Sequence, residues 1–197
     1  MKKGSASGFD RLMTFAKRLV SISEEEMNYA SSLLKPVKIT KNSHLIQEGQ
    51  VCQHIAFINA GYLRIYYHDK QGEVTRDLNL PGTFITALTS FITQQPTKEN
   101  IQAISDCELL MIHRDDVMTL YERYPKWERF GRLIIEQMYI EIQERLYAFI
   151  SESAEERYRK LLENQPEILE HIPLRYVASY LGVTQPSLSR LRRQVIG

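Results

Sequence analysis

The sequence is poor in cysteine and lacks long apolar runs, and both absences limit what the protein can be. Cys52 and Cys107 are the two cysteines in 197 residues, without CxxC spacing or a nearby histidine cluster. A zinc or iron–sulfur site is therefore not expected, and buried free thiols are the simpler interpretation. No apolar run approaches the roughly 18 residues of a membrane span, and no signal core follows the basic start of the chain. We expect a cytoplasmic protein without membrane contact.

Sequence signatures of catalysis are also missing. The chain has no nucleophile elbow, no phosphate-binding loop motif and no metal-spaced cluster. Asp115 and Asp116 form a carboxylate pair, but they follow Arg114 at a predicted helix start, where the helix dipole favours acidic residues. We therefore expect no enzyme, no metal and no cofactor.

The composition is that of an ordinary globular protein, with 43% hydrophobic and 25% charged residues and a net charge of +1. The charge is unevenly distributed, because the stretch from Pro173 to Gly197 holds four arginines and no acidic residue. Such local positive charge suits the phosphate backbone of a nucleic acid.

Regularly spaced glycines divide the first half of the chain into short β-rich runs. These glycines are Gly49, Gly61, Gly72 and Gly82. With a hairpin turn predicted at residues 69–72, the spacing indicates an antiparallel sandwich or barrel. Alternation along one run predicts two faces, with Val74, Leu78 and Leu80 on one and Thr75, Asp77 and Asn79 on the other.

Two of the helices predicted outside this β-rich region carry specific signals. A capping box begins the first, which should run from Glu24 to Leu34. The second should run from Lys126 to Ser151, and its apolar residues cover more than one stripe. Leu133, Ile140 and Tyr147 recur every seven residues, which favours a helix–helix dimer seam. Burial of the whole helix within its own chain is the alternative.

A helix pair is predicted at the C-terminal end. Residues 173–181 have helical apolar spacing, Gly182 interrupts it, and a second helix should follow from Thr184 to Val195. Ala178 lies at the expected crossing, and the expected seam residues are Val177, Leu181, Val183, Leu188 and Leu191. This pattern is typical of a helix-turn-helix whose second helix enters the DNA major groove. One preceding helix should supply core residues Tyr158, Leu161, Leu162, Ile168 and Leu169.

The start of the second helix is expected to read the bases. Thr184 should cap this helix, with Pro186 in its first turn. The candidate base contacts are Gln185, Ser187 and Arg190, and the candidate phosphate contacts are Arg192 and Arg193. Ser189 and Arg175 are further candidate DNA contacts. Tyr176 and Tyr180 are expected to pack rather than to stack on bases.

Taken in this order, the parts resemble the Crp/Fnr transcription regulators. The resemblance rests on HLIQEGQVCQHIAFINAGYLRIYYHDKQGEVTRDLNLPGTFI and on VASYLGVTQPSLSR. It implies an α+β fold, with a cyclic-nucleotide-binding-like antiparallel β-roll (jelly-roll-like) and flanking helices in residues 1–125, a dimerisation helix in 126–151 and a helix-turn-helix domain in 152–197. The family's β-wing should be short or missing. The resemblance also implies a homodimer on palindromic double-stranded DNA, with RNA polymerase as a further candidate partner.

The family's phosphate site is expected to be degenerate. Cyclic-nucleotide receptors of this type hold the phosphate with a Gly-Glu pair and an Arg-Ser pair, since arginine makes two charge-assisted bonds to phosphate. The corresponding effector pocket here contains Gly82, Thr86, Ala87, Thr97 and Lys98. No arginine occurs between Arg76 and Arg114, and a lysine cannot supply the planar fork. The resemblance therefore leaves the small-molecule effector unknown.

Two alternatives remain open. The pocket could bind another small anion or nucleotide, or the C-terminal helix pair could recruit a protein rather than DNA. A haem sensor would need a defined axial ligand, and His44, His54 and His68 are more simply surface or hydrogen-bonded histidines.

Overall fold

A computed structural model of the chain describes residues 8–70 and 72–196, beginning with two helices. Helix α1 spans Gly8–Leu19 and α2 spans Glu24–Leu33. The predicted capping box is confirmed, because Glu26 N–H donates to Ser23 Oγ at 3.2 Å and Ser23 N–H donates to the Glu26 carboxylate at 2.7 Å. The basic first residues of the chain and Gln71 of the predicted turn lie outside the described residues.

The β-rich half forms two antiparallel sheets of four strands each, as the predicted β-roll requires. The strands are β1 (Lys35–Ile39), β2 (His44–Ile46), β3 (His54–Ala60), β4 (Leu63–Asp69), β5 (Gly72–Asn79), β6 (Phe84–Ile85), β7 (Asn100–Ala103) and β8 (Cys107–His113). The first sheet has the order β1-β8-β3-β6 and the second β2-β7-β4-β5. The short helix α3 (Leu88–Thr93) connects β6 to β7. The four predicted turn glycines all have positive φ, a conformation that favours glycine.

Strand β5 departs from the predicted alternation of its side chains. Ile65 pairs with Asp77 and Tyr66 pairs with Thr75, so the register shifts by one residue at a β-bulge. Thr75 and Asp77 therefore lie on opposite faces of the sheet, and so do Val74 and Leu78. The prediction that each of these pairs shares a face is wrong. The bulge turns Thr75 toward the C-terminal helices and leaves Asp77 on the face of Ile65.

The inner faces of the two sheets enclose the first core, which includes both cysteines. Cys52 and Cys107 are free and buried, as predicted. A second core lies between the N-terminal helices and the first sheet, around Phe57, Leu110 and Trp127. These apolar contacts fix the β-roll as a frame for the elements that follow.

A long helix leaves the β-roll. Helix α4 spans Arg114–Arg123 and begins at the acidic pair predicted to start it. Helix α5 spans Pro125–Ser151, and its first turns bury Trp127 and Phe130. The C-terminal half of α5 leaves large apolar side chains exposed. None of the helices in the described part of the chain is both long and apolar enough to cross a membrane.

Four helices complete the chain, namely α6 (Ala154–Asn164), α7 (Pro166–His171), α8 (Leu174–Tyr180) and α9 (Gln185–Ile196). The prediction of one helix before the helix pair is wrong. Helix α6 ends before Gln165, and Pro166 begins a new helix. Proline lacks an N–H and disfavours helical geometry at the residue before it. The two short helices still supply buried core residues, as Tyr158 and Ile168 show.

The C-terminal helices pack against the outer face of the second sheet. Leu78 and Leu80 belong to the same apolar cluster as Tyr176 and Val177 of α8. The backbone N–H of Thr75 donates to Ser179 Oγ at 2.8 Å. The β-roll and the predicted DNA-binding helices are therefore in direct contact in this structure.

Candidate nucleic-acid interface and effector pocket

Helices α8 and α9 form the predicted pair around a tight turn. Val177, Ala178 and Leu188 are buried where the two helices cross. Gly182 has a φ of +70° and its N–H donates to the carbonyl of Ser179 at 3.0 Å. A positive φ is strained for residues with a side chain, so this glycine sets the sharp angle between the helices. The geometry is that of a helix-turn-helix.

Thr184 caps α9 as predicted. Its Oγ1 accepts the backbone N–H of Ser187 at 3.3 Å, and its carbonyl accepts the N–H of Leu188 at 3.0 Å. Gln185 and Pro186 are exposed beside it, and Ser187 is half-buried. The Ser189 hydroxyl donates to the Gln185 carbonyl at 3.0 Å, which leaves it less available for DNA than Gln185.

The predicted DNA-contacting arginines of α9 lie on its exposed surface. Arg190 donates to Ser187 Oγ at 3.3 Å, and Arg193 donates to the Ser189 carbonyl at 3.4 Å. Arg192 is also exposed. Within residues 8–70 and 72–196, none of the three forms an ion pair with an acidic side chain. Their charge is therefore available to an external anion.

Arg175 lies away from α9, at the start of α8. Its guanidinium stacks on the Tyr176 ring at 4.6 Å and donates to the Tyr176 hydroxyl at 2.8 Å. It lines a cleft between α8 and the second sheet, opposite Glu73. Its role as a DNA contact stays a prediction, and its surroundings also suit contact with the β-roll.

The predicted effector residues lie in the connections between β5 and β7, on both sides of α3. Gly82 donates its N–H to the Ile58 carbonyl at 2.7 Å, and Ala87 is buried at the N-cap of α3 without a side-chain cap. Thr97 is buried, and its polar groups are all engaged by Gln50, Gly49 and Glu99. Lys98 is exposed. The backbone around Thr97 therefore bonds within the fold.

A carboxylate lies directly beside the predicted phosphate position. Glu99 accepts the Tyr67 hydroxyl at 2.8 Å and lies 3.4 Å from Arg76 Nε. Burial, followed by this hydrogen bond and the negative charge of Glu99, raises the pKa of Tyr67 to about 12. Because Glu99 already pairs with Arg76, an incoming phosphate would meet a carboxylate rather than a free guanidinium.

Thr86 lines a separate cavity, which we call the roll cavity and whose walls include residues of both sheets of the β-roll. Its volume is about 460 Å³, and its walls include Ile46, Cys52, Ile101 and Met111. The Thr86 hydroxyl donates to the His54 carbonyl at 2.9 Å and lies 3.3 Å from Cys52 Sγ. Of the five predicted effector residues, the structure places Thr86 on the wall of this cavity.

Of the three histidines considered for haem, two have polar protein neighbours and the third is exposed. His44 Nε2 lies 2.9 Å from the Tyr66 hydroxyl, and His68 Nδ1 lies 3.5 Å from the Glu48 carboxylate. His54 is exposed at the edge of β3, with its ring edge-on to His113.

Sequence reasoning missed two arginines that hold the turn of the helix pair. Arg145 of α5 donates to the Tyr180 carbonyl at 3.2 Å, and Arg157 of α6 donates to the Leu181 carbonyl at 3.0 Å. Phe149 lies between them and contacts Gly182. In the sequence, Arg145 stands out as a positive charge among the apolar residues of α5. This charge indicates a polar partner but does not identify it.

Arg64 of β4 was also missed, because an arginine in an alternating strand suggests a solvated face. It is 2% exposed, and it stacks between Tyr66 and Tyr176 at 4.0 and 3.9 Å. It also donates to Gln102 at 2.7 Å and pairs with Glu73. Since Tyr176 belongs to α8, this stack joins the β-roll to the helix pair.

Comparison with known proteins agrees with this architecture. Residues 36–124 match the family model of the cyclic nucleotide-binding domain. The fold is similar to that of the catabolite activator protein of Thermus thermophilus, with 20% identity, 89% of this chain and 84% of that chain covered, and a TM-score of 0.56. FixK2 of Bradyrhizobium japonicum matches with 16% identity, coverage of 82% and 84%, and a TM-score of 0.71.

A further similar structure comes from Eubacterium rectale and is described as a transcriptional regulator of the Crp/Fnr family. It has 16% identity, covers 88% of this chain and 83% of that chain, and gives a TM-score of 0.68. No curated protein sequence matches the chain. At these identities the comparisons establish the fold, and they confirm the predicted resemblance.

Proposed function

We propose that this chain, which has the fold of the Crp/Fnr transcription regulators and a cyclic-nucleotide-binding-type β-roll, is a sequence-specific DNA-binding regulator that acts as a homodimer. In this proposal residues 1–125 sense an effector, residues 126–151 form the dimer helix and residues 152–197 bind DNA. No catalytic step is assigned to it.

The observation that carries the proposal is the surface of α9. Its first turn exposes Gln185, and its exposed arginines have no acidic partner within the described chain. A glutamine pairs bidentately with adenine and an arginine with guanine in the major groove. Arginines further along a recognition helix hold phosphates and set the register of the helix on the duplex. The capped, exposed α9 therefore suits entry into a major groove.

Helix α5 supports a dimer. Exposed apolar side chains follow each other at steps of four and three residues along one face, namely Ile135, Tyr139, Ile142 and Leu146. Such spacing is typical of the apolar a and d positions that form the seam of a two-helix coiled coil. Ile140 and Tyr147 of the predicted seam are exposed as well, whereas Leu133 packs on the N-terminal core. We therefore assign the dimer seam to the stripe that begins at Ile135.

A two-fold dimer would present two copies of α9 to one side of a duplex. Half-sites of such dimers lie about one helical turn apart, roughly 34 Å. The expected target is therefore an imperfect palindrome. Its affinity should fall steeply with salt, since each phosphate contact releases counterions.

The test is selection of bound duplexes from a random DNA pool with the purified full chain. Enrichment of a palindromic motif is expected, and so is its loss in the double variant Arg190→Ala/Arg193→Ala. The charge-matched control Arg129→Ala/Arg132→Ala, on exposed positions of α5, should retain the motif. No retained duplex at low ionic strength, with or without cell extract, would contradict DNA binding and favour a protein-recruiting helix pair.

A further inference from the structure

The roll cavity has walls without a cationic or acidic side chain. Its lining is somewhat more apolar than polar, with Leu45, Ile46, Ile101 and Met111 among the apolar side chains and neutral groups among the polar ones. At about 460 Å³, it falls within the range of roughly 300–1,000 Å³ that holds small molecules. Moving a phosphate or carboxylate from water into such walls, without an ionic partner, is strongly unfavourable.

The polar groups of the cavity walls are neutral. Cys52 Sγ and the Thr86 hydroxyl lie 3.3 Å apart, and both bond to the His54 carbonyl. Gln53 donates to the Gln94 side chain at 2.8 Å. These contacts hold the wall in place with protein partners and add no charge to the cavity.

His54 supplies the polar group at the entrance. His54 is exposed, but the protein around it removes part of its water, and this partial desolvation lowers its pKa. The neighbouring His113 and Lys35 lower the pKa further, and Asp116 raises it. The ring of His54 is therefore neutral near pH 7. The structure gives the ring no hydrogen-bond partner among the residues it describes. A neutral imidazole at the rim can donate to or accept from one hydroxyl or carbonyl group of a ligand.

We propose that the roll cavity binds an uncharged, mainly apolar small molecule with one hydroxyl or carbonyl group, and not a cyclic nucleotide. The assignment rests on the proposed function, because it names the class of effector for the sensing domain. The proposed ligand carries no charge, whereas the alternative left open by the sequence was a small anion or nucleotide. The predicted phosphate position lies outside this cavity, and Glu99 pairs there with Arg76, so that position does not offer an anion a free guanidinium either.

Two fluorescent probes that differ by one charge test this proposal. Phenylnaphthylamine is uncharged, and its analogue anilinonaphthalenesulfonate adds a sulfonate to the same rings. The full chain should bind the uncharged probe at least about tenfold more tightly, because the sulfonate would be desolvated without a cation. Cyclic AMP and inorganic phosphate should not displace the uncharged probe.

Two tryptophan variants locate the binding site. Val51 lines the cavity and is 37% exposed, and Val74 lies on β5 away from it and is 39% exposed. Val51→Trp should narrow the entrance and weaken the uncharged probe about tenfold or more, whereas Val74→Trp should bind like the wild type. Circular dichroism and thermal unfolding should show that both variants fold.

Three results would overturn the assignment. They are equal binding of both probes, displacement by micromolar cyclic AMP, and equal probe binding by the two tryptophan variants. DNA retention is measured separately on the same samples. If the full chain retains DNA but does not bind the uncharged probe, the ligand class alone is rejected. If it binds the probe but retains no DNA, the DNA-binding proposal alone is rejected.

Discussion

The guanidinium of Arg145 stacks on the ring of Tyr180, 4.0 Å from its centre, and donates to the Tyr180 carbonyl at 3.2 Å. Arg145 lies on the long helix α5, and Tyr180 lies at the end of α8, the first helix of the C-terminal helix pair. Asp77 of the β-roll attracts the same guanidinium. One arginine of α5 therefore contacts the turn of the helix pair and feels the charge of the β-roll as well.

Replacing Arg145 should uncouple the turn from α5. Arg145→Ala should lower DNA affinity about tenfold, because it removes a charge-assisted hydrogen bond worth about 1.5–3 kcal/mol that holds the turn. Arg145→Lys keeps the charge but loses the planar stack, so it should recover part of the affinity. Gel-shift titration on the selected duplex measures both, and sedimentation should show an unchanged dimer. Equal affinity of the alanine variant and the wild type would remove Arg145 from this role.

Gly182→Ala should destabilise the C-terminal helix pair. The new Cβ would lie 2.7 Å from Phe149 Cε1, and the φ of +70° is itself unfavourable for alanine. Together they should cost about 1–3 kcal/mol of unfolding free energy. In a Phe149→Ala background the clash is gone and the backbone strain remains, so the loss should shrink without vanishing. Denaturant unfolding of the four proteins checks this, and a constant loss in both backgrounds would exclude the contact.

Asp77→Asn should raise stability at neutral pH. Burial raises the pKa of Asp77, while Arg76 and Arg145 act against this rise and Glu141 adds to it. The ionised carboxylate is therefore disfavoured in the fold, and any advantage of the protonated form is lost as pH rises through the raised pKa. The variant and the wild type should melt alike below pH 3.8, where an ordinary aspartate is protonated, and the variant should melt higher at neutral pH. A variant that melts lower at neutral pH would show that the pairing with the arginines dominates.

Ile142→Glu should dissociate the dimer. The substitution puts a carboxylate into the apolar stripe of α5, next to the symmetry-related copy in the proposed coiled coil. The neighbouring variant Gln143→Glu adds the same side chain at an exposed position outside the stripe and should leave the dimer intact. Analytical ultracentrifugation distinguishes the two species. Dimers in both variants would place the interface elsewhere.

Arg190→Ala and Arg192→Ala should affect DNA binding differently. Loss of the base contact of Arg190 should cost about 1–3 kcal/mol and relax one position of the site. Loss of the phosphate contact of Arg192 should weaken all duplexes alike and reduce the salt slope by about 1. Competition with single-base variants of the selected site measures the first effect, and a salt titration the second. A uniform loss for Arg190→Ala would assign it to the backbone instead.

The sequence by itself determined the local elements of this protein. Capping at Ser23 and Thr184, left-handed turns at the β-roll glycines and at Gly182, and apolar periodicity in α5 all act between residues close in the chain. They therefore predicted the β-roll, the long helix and the helix pair in the correct order. Pro166 carried a local signal as well, although the prediction joined α6 and α7 across it.

Tertiary structure decided what the charged and polar side chains do. A β-bulge between β4 and β5 separates Thr75 from Asp77, and only the partner strand fixes its position. Arg64 is buried because α8 covers the outer face of the sheet, more than a hundred residues further along the chain. Arg145 likewise interacts with residues distant in the chain, namely Tyr180 of α8 and Asp77 of β5. Local pattern sets which elements form, whereas the burial and pairing of a charge depend on distant segments that only the folded chain brings together.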